Sequence, residues 1–304
     1  MRKKLLITGG SGFLGQNIIH FLQLRDKSDF DIYNLSKTPV AINGVINIKY
    51  DAASNDNLDV DISFDYIINL LALSNDKFCE DFAYAQKINI DFTKNLLEFA
   101  RKQKQLKKLI HLSSIILYDA SNIAPVSEDG KLHLNYTNYS FTKGIAEYYV
   151  NYYREKFNIP IINFRLANIY GPYQKFVDSP FLIPSKITQG ILEKKIDVFN
   201  LSPRRDWIYS MDAAAAINKS LYSDFVGTLN LGSGQGISVR EIIQEISDQL
   251  GVEYKSLERP MTGPIDFYCD ISKIQKMFNW NPEVNLKHGI VNTIEYIKKN
   301  IGGI

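Results

Sequence analysis

The chain has 304 residues, with 35 Lys plus Arg against 33 Asp plus Glu, and 45 % of its residues are hydrophobic. That length and apolar content support one large or two modest domains and exclude an intrinsically disordered chain. A net charge of +2 from mixed charges excludes the broad basic field used for non-specific nucleic-acid binding, and no stretch approaches the roughly 18 apolar residues a membrane helix needs.

Arg2, Lys3 and Lys4 open the chain, but the apolar run behind them is broken by glycines, so no secretion signal is read there. Short apolar runs then alternate with longer helical patterns. Leu5 to Thr8, Phe30 to Leu35, Val45 to Tyr50, Tyr66 to Leu71, Leu109 to Ser113, Ile161 to Arg165 and Thr228 to Leu231 read as strands of a parallel sheet. Between them, Leu14, Ile18, Phe21 and Leu22 form one helical stripe, Ile88, Phe92, Leu96, Phe99 and Ala100 a second, and Ile145 with four tyrosines up to Tyr153 a third. After Tyr170-Gly171-Pro172, prolines at 180, 184, 203, 260, 264 and 282 break the alternation. The expected organisation is an α/β, doubly wound parallel sheet over residues 1–170, with a strand returning near 225–232, interleaved with a smaller lobe formed mainly by 171–304. Cys79 and Cys269 offer no disulfide framework, which fits a reducing, cytoplasmic setting, and the four histidines show no ligand spacing, so no metal is expected.

The segment Leu5-Leu6-Ile7-Thr8-Gly9-Gly10-Ser11-Gly12-Phe13-Leu14-Gly15 reads as strand, glycine-rich turn and helix start. Gly9 suits a tight turn, Gly12 lets backbone approach a pyrophosphate, and Gly15 lets the helix pack on the strand, with the helix N-terminus facing the phosphates. This is the context that makes a glycine triplet meaningful as a dinucleotide site.

The Thr-Gly-Gly-Ser-Gly-Phe-Leu-Gly spacing resembles the extended short-chain dehydrogenase/reductases, the NAD(P)-dependent epimerase/dehydratase family that acts mostly on nucleotide sugars. The resemblance covers essentially the whole chain, through Asn168-Ile169-Tyr170-Gly171-Pro172, Arg205-Asp206-Trp207 and Trp280-Asn281-Pro282. It implies cofactor contacts from Gly9, Gly12, Phe13, Leu14 and Gly15, adenine contacts from Asp51 and Ala52, a segment including Leu71 and Ala72 under the cofactor, and a helix asparagine at Asn89. It also implies Asn168, Arg205 and Arg259 as groups near a nucleotide diphosphate, for which arginine's planar fork is suited. Pairing of the helices containing Phe92 to Ala100 and Tyr148 to Phe157 across a two-fold axis into a homodimer is a further implication.

Three Tyr-x-x-x-Lys pairs occur, Tyr33/Lys37, Tyr139/Lys143 and Tyr152/Lys156. Tyr33 lies in a strand pattern and Tyr152 in mid-helix, whereas Tyr139 starts a helix that puts Lys143 one turn on, on the same face. It follows the Ser113-Ser114 end of the fifth strand, where such sheets bind ligands. The expected trio is Ser114 holding the reacting oxygen, Tyr139 exchanging its proton, and Lys143 lowering the phenol pKa while holding the cofactor ribose; Ser113 is the competing serine. Ile115 and Ile116 stand where the resemblance places acidic residues in dehydratases, and apolar side chains cannot shuttle protons. Cys79 is remote in sequence from the position used by 3,5-epimerising members.

Aligning the second strand on the family puts Ser36, followed by Lys37, where NAD-specific members carry an acid, and a rival register puts Tyr33 there; neither is a carboxylate, so the expected cofactor is NADP(H) in preference to NAD(H). The expected reaction is reduction of a 4-keto sugar nucleotide; the alternative is a 4-epimerase with tightly bound NAD. A reductase of a non-sugar carbonyl and a non-catalytic NAD(P)-binding sensor stand behind these. The expected partners are a nucleotide-diphosphate sugar and a second copy of the chain, with no nucleic acid and no membrane.

Overall fold

The computed structural model describes residues 2–25, 29–54, 57–133, 137–257, 259 and 265–302. Pro260 and Pro264, two of the expected breaks, lie outside them. The chain divides into two compact units, one made of residues 1–119, 131–166 and 214–229, the other of 120–130, 167–213 and 230–304.

The first unit is built on β1 (Lys3–Thr8), β2 (Phe30–Ser36), β3 (Val45–Lys49), β4 (Tyr66–Asn69), β5 (Lys108–Ser114) and β6 (Ile161–Leu166). The second contributes β7 (Asn168–Tyr170), β8 (Lys195–Phe199) and β9 (Arg204–Tyr209), and β10 (Gly227–Leu231) returns to the edge of the large sheet. The seven strands run in the order β10-β6-β5-β4-β1-β2-β3, and the registered pairs are parallel. All seven strands read from the sequence are present. β4 and β5 are buried at every position, as expected of central strands covered on both faces.

Helix α1 (Phe13–Arg25) follows β1. A short helix α2 (Phe82–Ala85) runs through a π-helical turn (Gln86–Asp91) into α3 (Phe92–Lys102), and α4 (Asn138–Phe157) follows β5. The α3 side chains Phe92, Leu96, Leu97, Phe99 and Ala100 are buried and pack with Leu109, Val150, Tyr153 and Ile161 in one core. α4 starts where the Thr137 side chain caps the Ser140 amide and the Ser140 side chain returns to the Thr137 amide.

The second unit holds α5 (Leu182–Glu193), β11 (Gly236–Ser238), α7 (Val239–Leu250), β12 (Glu253–Leu257), β13 (Asp266–Phe267) and α9 (Leu286–Ile301), with α6 (Ser210–Leu221) and α8 (Ser272–Phe278) alongside in the chain. β9 pairs with β11, β13 and β7, and β12 pairs with β8. Ile183, Ile187, Ile196, Ile243, Ile246, Ile290 and Ile294 form its core. Among the described residues no helix is long and apolar enough to cross a membrane.

Candidate active site

Gly9 has φ +70°, and a Cβ there would lie 3.1 Å from the Leu71 backbone; a Cβ at Gly15 would lie 2.5 Å from Gly10 Cα. These two glycines are therefore required by the turn and by the packing of α1 against it. Gly12 differs: a Cβ there would meet only the Gly9 carbonyl, at 3.1 Å, so a side chain would fill the outer side of the turn. The first intrahelical bond in α1 is Gln16 N to Gly12 O at 3.0 Å, which leaves the amides of Phe13, Leu14 and Gly15 without helical partners at the positive end of the helix dipole. An open glycine surface beside oriented amides fits a pyrophosphate.

At the other end of the cofactor cradle the residues are engaged among themselves. Ser36 Oγ accepts from Asn34 Nδ2 at 2.9 Å and Ser11 Oγ at 3.1 Å, and donates to the Thr38 carbonyl at 2.5 Å. Lys37 Nζ lies 3.0 Å from Asp51 Oδ2, and Asp51 Oδ1 also accepts from the Ala53 amide. The hydrogen bond and charge of Lys37 hold the Asp51 carboxyl below its ordinary pKa. Asp51, read from the sequence as an adenine contact beside buried Ala52, thus brings to the end of β2 the carboxylate that Ser36 lacks. Sequence reading missed this because the acid comes from the end of β3.

Asn89, expected at the cofactor, is buried and its side chain faces protein partners. Its Oδ1 accepts from Leu73 N at 2.7 Å, and its Nδ2 donates to Thr142 Oγ1 at 3.0 Å and to Leu73 O at 3.3 Å. It ties the segment carrying Leu71 and Ala72 to the first turns of α4, and so acts on the site by positioning. Asn138, beside Tyr139, adds a second tie by donating to Cys79 O at 2.9 Å.

β5 and α4 bring Ser114, Tyr139 and Lys143 together. Ser114 ends β5, and its Oγ accepts the Ile116 amide at 3.2 Å, capping a short 3₁₀ turn (Ile115–Leu117). The Ser114 side chain lies close enough to the Tyr139 phenol to lower its pKa. Lys143 is buried, and its Nζ donates to the Leu112 carbonyl. Burial pushes the Tyr139 phenol up to about 12, opposed by the Ser114 side chain and reinforced by the negative charge of Asp76. The expectation that Lys143 lowers this pKa is corrected here: in the chain alone desolvation dominates, and Ser114 supplies the opposing effect. Burial also brings Lys143 down to about 8, against the raising influence of the Glu147 carboxylate.

Ser113 is committed elsewhere. Its hydroxyl donates to Glu147 Oε2 at 2.5 Å, and Glu147 forms a buried ion pair with Arg165 at 2.6 Å. Cys79, remote in sequence, folds against the site: its sulfur lies 3.8 Å from Asn89 Nδ2, and burial raises its pKa, so it remains a thiol.

The remaining expected residues lie in the second unit. Asn168 Nδ2 donates to Asp206 O at 2.9 Å, Arg205 Nη1 donates to the carbonyls of Arg204 and Ile265, and the exposed Arg259 guanidinium stacks 3.6 Å from the Phe199 ring centroid. Asp206 is buried and accepts from the amides of Ser233, Gly234 and Cys269, which makes it a brace for that loop. Among the described residues no group of His, Cys, Asp and Glu is placed to hold a metal ion.

The chain is 28 % identical to the UDP-glucuronate 4-epimerase of Thermodesulfobacterium geofontis, over 97 % of this chain and 96 % of the relative. It is 26 % identical to the dTDP-4-dehydro-6-deoxyglucose reductase of Escherichia coli, over 97 % of each. In fold it is similar to the UDP-glucuronic acid 4-epimerase of Bacillus cereus solved with UDP-glucuronic acid and NAD, with a TM-score of 0.84, 24 % identity and coverage of 97 % of this chain and 99 % of that one. Residues 5–232 match the sequence profile described as the NAD dependent epimerase/dehydratase family, and the chain belongs to that family of extended short-chain dehydrogenase/reductase enzymes.

Proposed function

We propose that this enzyme interconverts the configuration at C4 of a nucleotide-diphosphate sugar with NAD retained in the site. The observation that carries the choice is the Lys37–Asp51 pair beside a fully hydrogen-bonded Ser36. A 2′-phosphate would have to displace Asp51 from its cation and break the Ser36 bonds, whereas a ribose hydroxyl can donate to the Asp51 carboxylate. The sequence preference for NADP(H) is thereby replaced by one for NAD, and a retained cofactor suits a closed redox cycle.

NAD, held by these residues, would supply the hydride acceptor and donor for the sugar carbon. The chain supplies the rest. Ser114 holds the C4 oxygen, and Tyr139 as the phenol is the acid that donates to it as the alcohol re-forms. In the opposite direction the phenolate form of Tyr139 takes the proton from the C4 hydroxyl and becomes the phenol, while Lys143, anchored on Leu112 O, directs its remaining N–H groups to the ribose. Gly9, Gly12, Gly15 and the amides of Phe13 and Leu14 hold the pyrophosphate, with Leu71 and Ala72 beneath the cofactor. Asn168, Arg205 and Arg259 serve the substrate's diphosphate. Ile115 and Ile116, whose side chains carry no proton, fit a reaction without elimination of water.

Reduction of a 4-keto sugar nucleotide is the second reading, favoured by the similarity to the dTDP-4-dehydro-6-deoxyglucose reductase. Incubation of the purified protein with UDP-glucose or UDP-glucuronic acid and no added cofactor separates the two. Formation of the 4-epimer, with NAD released on denaturation, supports the proposal; stoichiometric NADPH consumption with a 4-keto sugar nucleotide and no epimer overturns it.

We also propose a homodimer through α4. Phe141, Tyr148 and Tyr152 fall on one exposed stripe, with Tyr148 69 % exposed, while Thr142, Ala146, Val150 and Tyr153 bury the opposite face. Phe82 packs on Phe141 and Phe157 on Tyr152, widening an aromatic surface suited to a second copy.

A further inference from the structure

A row of polar side chains crosses the middle of the large sheet. Thr8 pairs with Asn69, Asn69 with His111, and His111 with Asn163, so β1, β4, β5 and β6 each contribute one residue at the same level. All four are buried, none more than 2 % exposed. Polar groups in such a place are expected to be hydrogen-bonded.

The bonds run in one direction. The amides of Leu70 and Leu71 donate to Thr8 Oγ1, each at 3.3 Å, and Thr8 Oγ1 donates to Asn69 Oδ1 at 2.7 Å. With its oxygen accepting, Asn69 presents Nδ2 to His111 Nδ1 at 3.0 Å. Nδ1 is therefore the acceptor, and a neutral ring carries its proton on Nε2. Ring geometry sets Nε2 on the edge away from β4, toward β6. There His111 Nε2 and both side-chain polar atoms of its register partner, Asn163 Nδ2 and Oδ1, are buried without a hydrogen-bond partner. A buried unsatisfied donor or acceptor costs about 1–3 kcal/mol. Three such atoms on register partners of neighbouring strands match in number the roughly three partners a buried water uses.

We propose that His111 Nε2–H and the Asn163 amide together bind one enclosed water molecule, and that this site holds His111 as an uncharged imidazole beside Lys143. His111 is thereby a positioning residue at both ends of the row. Toward β1 it secures Asn69 and Thr8, and through them the backbone of Leu70 and Leu71. Toward α4 it lies next to Leu112, whose carbonyl anchors the Lys143 ammonium. A second positive charge on the ring would push that ammonium off its anchor; burial and Lys143 both hold the His111 pKa well below its ordinary value. Glu147 and Arg165, farther along the same face, neutralise each other.

The link to catalysis rests on the role proposed for Lys143, whereas the water site and tautomer do not, so the test is made without turnover. The full chain labelled with ¹⁵N-histidine is followed by long-range proton–nitrogen correlation, with His111→Asn identifying the His111 signal among four. A neutral Nε2–H ring from pH 8 to pH 5.5, showing a cross-relaxation contact with water that disappears in Asn163→Leu, is expected. A Nδ1–H tautomer, or an imidazolium at pH 6.5, overturns the proposal. A high-resolution crystal structure of the unaltered protein provides the second measurement: an ordered water bonded to Nε2 and Asn163 supports the site, and a direct Asn163–His111 bond or apolar filling overturns it. If these hold and epimerisation fails, only the functional reading falls.

Discussion

Ser113 and Ser114 are adjacent at the end of β5, and the fold gives them opposite tasks. The Ser113 hydroxyl points to Glu147, 2.5 Å away in a buried pair with Arg165, while Ser114 reaches the Tyr139 phenol. Ser113 is held within the strand by the buried Glu147–Arg165 pair, whereas Ser114 stands where the strand ends and caps the following turn through the Ile116 amide. Ser114→Ala is expected to lower turnover by about 10²-fold or more, with little change in melting temperature. Ser113→Ala is expected to reverse that pattern, losing about 1 kcal/mol of stability while kcat stays within about threefold. Steady-state kinetics and thermal melts on the two variants check the pair.

Tyr139→Phe keeps the ring and removes the proton. Turnover is expected to fall by about 10²- to 10⁴-fold, with cofactor affinity preserved. Equilibrium binding alongside kinetics tests this; turnover within tenfold of the unaltered enzyme would remove Tyr139 from the role.

Glu147→Gln should be costly for a different reason. It leaves the buried Arg165 charge without its counter-charge, although the Tyr118 hydroxyl still accepts from Arg165 at 3.1 Å. A loss of about 3–5 kcal/mol is expected for breaking such a pair, measured by urea denaturation.

Lys143 sets function against stability. Its folded pKa of about 8 is depressed from 10.5, so the unfolded chain binds more protons between those values and stability rises with pH across that window. Below pH 8 the buried charge opposes folding by roughly 3 kcal/mol. Lys143→Met is expected to be inactive yet to melt higher than the unaltered protein at pH 7 without cofactor, with the difference shrinking as pH rises from 8 to 10.5. A melting series over pH checks both the sign and the window.

Asp51→Asn releases Lys37. The ratio of NADP to NAD dissociation constants should drop by about fivefold, the scale of an exposed ion pair worth up to about 1 kcal/mol. Titration with both cofactors tests this, and an unchanged ratio would mean that the pair does not select between them.

Tyr148→Glu places charge in the exposed aromatic stripe of α4. Light scattering should report a dimer for the unaltered chain at micromolar concentration and a monomer for the variant, with the melting temperature kept in the variant's own folded unit.

The seven strands of the large sheet were legible from residue order because central parallel strands are continuous apolar runs, and the glycine turn was legible because its strand and helix flank it directly. Tyr139 and Lys143 were legible for the same local reason, one helical turn joining them. What needed the tertiary structure was every relationship between distant segments. Asp51 reaches Lys37 from another strand end, Cys79 folds against a helix sixty residues on, and Thr8, Asn69, His111 and Asn163 meet only through strand register. The Tyr139 pKa also lay beyond the sequence, since the motif shows which charges are near in the chain but not how much water the fold removes. Residue order determines short-range geometry; sheet register and burial decide which charges and hydrogen bonds face one another.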